Sequence, residues 1–125
     1  MIAAILLGSD FFPNFPPDRS KQAFKNSADR FAEYLESLTY GLGIGKDRIL
    51  NLFGSGDPVE RQDWQITEFL RATSSIADTL LIYYVGHGGF LVDRQYFLTL
   101  KVTEPRREHF TGKPYAFASG EINIL

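Results

Sequence analysis

The sequence predicts an α/β domain in which a parallel sheet lies between helices. Two observations support this prediction. Short apolar runs alternate with amphipathic segments along the chain, and one of these runs, residues 80–85, has no polar face. A strand without a polar face is typical of a parallel sheet that is covered on both sides. The order β-α-β-α-β also needs crossover connections, which place helices on the faces of the sheet.

The composition indicates one globular domain and excludes several classes of function. The 125 residues are 44% hydrophobic and 22% charged, with a net charge of −2. Basic residues form no cluster beyond Arg106 and Arg107, so we expect no nucleic-acid partner. Without cysteine, the sequence has no disulfide, no cysteine-ligated metal site and no thiol nucleophile. No apolar run is long enough for a membrane helix or a signal peptide, which predicts a cytoplasmic location without a membrane partner.

The first part of the chain predicts a strand, a stiff loop and a helix. An apolar strand ends at Gly8 and is followed by a proline-rich loop. After the loop, the apolar residues follow helical spacing. These residues are Phe24, Ala28, Phe31, Leu35 and Leu38. Asp18 or Ser20 is expected to cap this helix, and Gly41 or Gly43 to end it.

The middle of the chain predicts a second strand and a second helix. Residues 48–53 favour a short strand because of the apolar side chains of Ile49, Leu50, Leu52 and Phe53. Residues 57–60, Asp-Pro-Val-Glu, are typical of a helix start, with a capping acid and proline at the first helical position. The helical stripe continues to about Ser75. Its apolar face consists of Ile66, Phe69, Leu70 and Thr73.

The last part of the chain predicts a hairpin that follows the third strand. Residues 90–92 and 96–98 have strand-favouring side chains and flank the turn residues 93–94. Residues 101–117 contain two prolines and mixed charge, which predicts a loop. Residues 119–121 are a candidate start of a third helix.

A histidine between glycines follows the third predicted strand. In parallel α/β sheets the chemistry lies beyond the carboxyl ends of the strands, where His87 is expected to stand. Glycines on both sides allow a tight turn and a close approach of a substrate to main-chain N–H groups. His87 is therefore the candidate catalytic residue; the alternative is a glycine-rich turn whose histidine only caps the strand. Asp10, beyond the first strand, is either an acid that orients the imidazole or a loop acid without a role.

Three other patterns carry less weight. Residues 41–45 contain three glycines, but they follow a helix and precede a strand, which predicts a turn and not a dinucleotide site. Residues 87–90 are similar to the oxyanion motif of some α/β-hydrolases, although the Gly-x-Ser-x-Gly elbow of those enzymes is absent. His109 is expected to be a surface residue rather than a metal ligand. We therefore expect no metal and no cofactor.

Residues 78–88, an apolar strand that leads into Gly-His-Gly, resemble the caspase and metacaspase group of cysteine peptidases, especially its bacterial members. Weaker matches at residues 3–8, 26–28 and 100–103 extend the resemblance over most of the chain. It implies a three-layer caspase-like fold and a cysteine endopeptidase that acts on proteins or peptides. It also implies that His87 is the general base and later the proton donor, and that the N–H of Gly88 helps to hold the oxyanion.

The sequence departs from this family at several positions. The caspase cysteine lies about 50 residues beyond the histidine, yet no cysteine follows His87. Ser27 and Val85 stand where the family has an aspartate and a serine of a pocket for basic side chains, which places that preference in doubt. Arg19 and Lys21 lie near the position where caspases hold an arginine for an acidic side chain. The alternative for both basic residues is a solvated surface.

Residues 1–125 are thus expected to form the N-terminal portion of one caspase-like peptidase domain, inactive without the portion that carries the cysteine. The expected partners are that portion, a protein or peptide substrate, and a second copy of the chain. One alternative is a caspase-fold adaptor without catalysis, and a less favoured one is an α/β-hydrolase fragment. A further alternative is an α/β domain of the flavodoxin or receiver type, which would need an acidic cluster or a phosphate loop after the first strand.

The resemblance to caspases also has an implication for the third strand. In that family the strand that carries the cysteine lies beside the third strand, so residues 80–85 are expected to present an unpaired apolar edge.

Overall fold

A computed structural model describes residues 1–15, 21–90, 96–107 and 114–123 of the chain. The elements follow the predicted β-α-β-α-β order, and a group of further strands follows. They are β1 (Ile2–Gly8), α1 (Gln22–Glu36), β2 (Ile49–Asn51), α2 (Val59–Thr73), β3 (Thr79–Val85), β4 (Gly88–Phe90), β5 (Tyr96–Arg107) and β6 (Pro114–Asn123). The predicted α/β class is therefore confirmed.

The first three strands form a parallel sheet with β1 at its centre. The strand order is β2-β1-β3. β1 pairs with β3 over its whole length, from Ile2↔Thr79 to Gly8↔Val85, and with β2 over three residue pairs. Because β1 has a strand on either side, all of its residues after Ile2 are buried.

The two helices cover opposite faces of this sheet. Side chains of a strand point alternately to its two faces, so Ala4 and Leu6 pack with α1 while Ile5 and Leu7 pack with α2. Leu35 of α1 is fully buried against the first pair. The described core is thus a three-layer arrangement of helix, sheet and helix.

β3 is an edge strand of the described parallel sheet, and one of its faces is partly open. The prediction that this strand is buried on both sides is wrong, because Leu80 is 43% and Ile82 is 60% exposed. Both residues lie on the face that α2 covers. α2 packs through Ile66 and Phe69 on β1, the end of β2 and Tyr84, and this leaves the first half of β3 open.

The chain beyond β3 forms a second, antiparallel sheet with the order β4-β5-β6. The predicted hairpin is confirmed by the pairing of Phe90 with Tyr96, although residues 91–95 lie outside the described part. The predicted third helix is wrong, and so is the predicted loop at residues 101–107 and 114–117, because β5 continues to Arg107 and residues 114–123 form β6; the rest of that loop, residues 108–113, lies outside the described part. Both prolines occupy positions that strands tolerate. Pro105 lies at a register shift of β5, and Pro114 is the first residue of β6.

The helix ends differ from the sequence predictions. Lys21 occupies the N-cap of α1 without a side-chain hydrogen bond, and the predicted caps, Asp18 and Ser20, lie outside the described residues. α1 ends at Glu36, so Leu38 is not part of its stripe and is 89% exposed. The glycine-rich segment is a turn, as predicted, since the N–H of Gly43 donates to the carbonyl of Ser37.

α2 begins one residue later than predicted, at Val59. Pro58 stands at its N-cap rather than at its first helical position, and its carbonyl accepts the N–H groups of Arg61 and Gln62. No side-chain hydrogen bond caps the helix. It ends at Thr73, close to the predicted end at about Ser75.

Candidate active site

The carboxyl ends of β1 and β3 meet at one edge of the parallel sheet. Gly8 and Val85 are the last paired residues, so the segments that follow them leave the sheet side by side. Gly8 has φ 119°, and a Cβ atom on it would lie 1.9 Å from the carbonyl oxygen of Val85. Only glycine fits this close approach of the two strands. The segments that it brings together are Ser9–Phe15 and Gly86–Gly88 at the edge where parallel sheets hold their ligands.

His87 lies at this edge, between two phenylalanine rings. The centroid of its imidazole is 5.1 Å from that of Phe12 and 5.2 Å from that of Phe24, and the rings are tilted by 55° and 77°. Phe12 follows β1 and is buried, whereas Phe24 belongs to the first turn of α1. Tilted and edge-to-face arrangements at these distances are the favourable ones for aromatic pairs. Two separate segments therefore hold the imidazole, which stays partly exposed.

The main chain of His87 is held by two further residues. The hydroxyl of Tyr84 lies 2.5 Å from the carbonyl oxygen of His87 and 2.8 Å from that of Thr99, and it can donate to either. The N–H of Thr99 donates to the carbonyl of His87 over 2.9 Å. Thr99 is buried in β5, so these bonds join the parallel sheet to the antiparallel one at His87.

Gly88 presents its N–H on the side away from β5. In an antiparallel ladder, hydrogen-bonded and non-hydrogen-bonded residue pairs alternate. Thr99 is hydrogen bonded to His87, so the next pair, Gly88↔Leu98, is a non-hydrogen-bonded one. Gly88 is also exposed. Its N–H is therefore directed away from β5, on the residue that directly follows His87.

A lysine and two acids lie around the start of α1. The carboxylate of Asp29 raises the pKa of Lys25 through a hydrogen bond of 2.9 Å and through its charge, and Asp10 adds a smaller contribution of the same sign. The carbonyl of Asp10 accepts the N–H of Lys21. The main chain of Asp10 thus contacts the start of α1, and the role of its carboxylate in orienting the imidazole stays a prediction.

The structure places the other candidate residues less centrally. Lys21 and Ser27 are exposed on and before α1, within a turn of Phe24 on either side, and Val85 is partly buried at the end of β3. Arg19 and His109 lie outside the described residues. None of the contacts described above joins Lys21, Ser27 or Val85 to the imidazole, so a substrate-binding role for them stays a prediction.

Three residues of the site were not predicted as such: Phe12, Phe24 and Tyr84. Phe24 was assigned to the core stripe of α1, Phe12 to a loop and Tyr84 to the buried strand. One signal in the sequence could have identified Phe12 and Phe24. Phe12 lies a few residues after the end of β1, and Phe24 lies a few residues after the start of α1, both at the carboxyl edge of the sheet. A large aromatic residue at such a position packs onto the segment that follows the neighbouring strand.

The described residues contain no group of three or more His, Cys, Asp and Glu side chains placed to hold a metal ion. Within the same part of the chain, no helix combines the length and the apolar character that a membrane span requires. No protein-family model, curated protein or solved structure shows significant similarity to this chain.

Proposed function

We propose that this chain supplies the catalytic histidine of a caspase-like cysteine endopeptidase. The observation that supports the proposal is the position of His87 beyond the carboxyl end of β3, partly exposed and held between Phe12 and Phe24. An imidazole that is both fixed in place and open to a reactant is what general acid–base catalysis needs. The adjacent N–H of Gly88, directed away from β5, suits an oxyanion.

The chemistry uses a thiol that this sequence does not contain. His87 accepts the proton of a cysteine thiol, and the thiolate sulfur attacks the carbonyl carbon of a substrate peptide bond. The N–H of Gly88 donates to the resulting oxyanion. His87 then gives its proton to the departing amine as the C–N bond breaks, and water hydrolyses the thioester and restores the thiol. Because the 125 residues include no cysteine, the thiol belongs to a polypeptide segment outside this sequence.

A caspase-fold adaptor without catalysis is the second candidate function. Two observations favour it: the sequence has no cysteine, and β3 offers an exposed apolar edge to another polypeptide. An adaptor would use the same scaffold to bind a protein through that edge. The two candidate functions differ in one respect: in the peptidase a cysteine thiol lies beside His87, and in the adaptor it does not.

Peptide cleavage by the protein that the complete gene encodes is the test of the first proposal. A mixed library of fluorogenic peptides with acidic, basic and apolar P1 residues would reveal activity and preference together. We expect His87→Ala to lower kcat/KM by about 10²–10⁴-fold, the usual contribution of a general acid–base group. His109→Ala, which removes the other histidine of the chain, is the matched control and should leave the rate unchanged.

Two results would contradict the peptidase proposal. Undiminished cleavage by His87→Ala would show that His87 is not the base. The absence of both cleavage and a reactive cysteine, tested by alkylation with iodoacetamide, would leave the adaptor as the better function. Cleavage that iodoacetamide abolishes and His87→Ala removes would support the proposal on both counts.

A further inference from the structure

The hydroxyl of Tyr84 lies at the point where the chain passes from one sheet to the other. The phenol ring packs on the α2 side of the parallel sheet, with Ile5, Leu7 and Phe69 among its neighbours in that cluster. From there the hydroxyl reaches past the end of β3 to the carbonyl oxygens of His87 and Thr99, at 2.5 and 2.8 Å. A side chain anchored in the core thus holds the main chain of the candidate catalytic residue.

The main chain of His87 needs such a restraint because the residues before and after it restrict its conformation little. Gly86 and Gly88 have no side chains, so the backbone on either side of His87 has wide conformational freedom. The hydrogen bonds to its carbonyl, from the Tyr84 hydroxyl and the Thr99 N–H, supply the restraint instead. A shift of this carbonyl would also move the imidazole relative to Phe12 and Phe24.

The glycine before His87 is fitted to this hydroxyl. A Cβ atom on Gly86 would lie 2.7 Å from the hydroxyl oxygen of Tyr84 and 3.5 Å from the nearest ring atom of Phe12. The first distance is shorter than real Cβ contacts, so an alanine at this position would push the hydroxyl away from the carbonyls that it binds. Gly86 and Tyr84 therefore belong to one arrangement.

The residue before Tyr84 offers a matched comparison. Tyr83 lies on the opposite face of β3, where its ring stacks on Phe31 of α1 with 4.1 Å between centroids. Removing its hydroxyl changes the same number of atoms in the same strand without touching the carbonyl of His87. The pair separates a local effect on His87 from a general loss of stability.

We infer that Tyr84 is a positioning residue for His87: its hydroxyl fixes the His87 carbonyl and so sets the imidazole between Phe12 and Phe24. An effect of Tyr84 on catalysis rests on the proposed peptidase function, whereas its positioning of His87 does not. The hydroxyl acts through the main chain of His87 and touches no substrate.

The first experiment measures positioning without any activity, by NMR on the 125-residue chain. In Tyr84→Phe we expect the Thr99 amide to exchange its hydrogen about five- to tenfold faster, the effect of losing one hydrogen bond at that carbonyl. The nuclear Overhauser effects between the His87 ring and the rings of Phe12 and Phe24 should weaken. Tyr83→Phe should change neither quantity, and Gly86→Ala should repeat the effect of Tyr84→Phe through displacement of the hydroxyl.

The second experiment measures cleavage by the product of the complete gene. We expect Tyr84→Phe to lower kcat by about tenfold with little change in KM, because the substrate still binds while the base is misplaced. Unaltered His87 contacts and Thr99 exchange in Tyr84→Phe would overturn the inference, whatever the activity. Altered His87 contacts in Tyr84→Phe, together with a wild-type protein that shows neither cleavage nor a reactive cysteine, would uphold the positioning and overturn the peptidase proposal.

Discussion

Gly8 marks the closest approach between β1 and β3. An added Cβ would lie 1.9 Å from the Val85 carbonyl oxygen, on a residue whose φ of 119° side chains rarely adopt. We expect Gly8→Ala to lower the free energy of unfolding by ~3 kcal/mol, since a main-chain atom in a paired strand cannot move aside. Urea denaturation measures the change. Gly56→Ala is the control, because its Cβ would meet nothing within 4 Å, and it should change stability by less than ~1 kcal/mol.

The sequence predicted the position of His87 better than its surroundings. Glycines on both sides of a histidine after an apolar strand indicated the carboxyl edge of the sheet, and the structure places His87 there. The rings that flank it come from residues 12 and 24, which are far from it in sequence. Their apolar character predicts burial but not the neighbour against which they are buried. The hydroxyl of Tyr84 was likewise hidden in a strand that the pattern describes only as apolar.

α1 contributes to stability through the residues of its inner face. Leu35 is fully buried beside Ala4 and Leu6, whereas Leu38, one turn further along the sequence, is 89% exposed. We expect Leu35→Ala to cost about 2–5 kcal/mol of unfolding free energy, the usual range for a buried leucine. Leu38→Ala should change it by less than ~0.5 kcal/mol. Equal losses in the two variants, measured by urea denaturation, would mean that α1 does not pack on the sheet as described.

At the level of elements, the sequence pattern predicted the helices, the first three strands and the hairpin that follows them, and it failed from residue 101 onward. The helical spacing was clear because each helix has one apolar face and one polar face. Residues 101–117 are predicted as a loop because of Pro105, Pro114 and their mixed charge, and residues 119–121 as a helix start. Both prolines lie where a strand tolerates them, at a register shift and at a strand start. Such positions become recognisable only when the pairing of the strands is known.

The whole molecule presents β3 as an exposed edge of its described parallel sheet. β3 carries no charged residue, and Leu80 and Ile82 are 43% and 60% exposed. Uncharged apolar edges pair with other chains, so we expect the 125-residue chain to self-associate with rising concentration. Ile82→Lys should reduce the association, as followed by sedimentation velocity. Leu38→Lys, a change at an exposed residue away from β3, should not, and a wild-type chain that stays monomeric at every concentration would refute the expectation.

The three-layer arrangement followed from the sequence, but the order of the strands did not. Alternation of apolar runs and amphipathic segments requires a parallel sheet between helices, which the structure confirms. The same alternation says nothing about which strand lies in the middle. β1 is central and its residues after Ile2 are buried, whereas β3, which is apolar on both faces as well, lies at the edge. The partial cover of β3 depends on where α2 crosses the sheet, and no local pattern encodes that position.

The central position of β1 also has a consequence for the time course of folding. The strand that needs two partners is the first to be synthesised, and its pairing with β3 joins Ile2 to Thr79. At a synthesis rate of about 5–20 residues per second, the ribosome needs roughly 4–15 s to make the chain between them. Within that interval β2 becomes available to one edge of β1, but over three residue pairs alone. Pairing as distant as that of β1 with β3 is slow to form, so we expect the edge of β1 that later holds β3 to stay open to other polypeptides until β3 has been made.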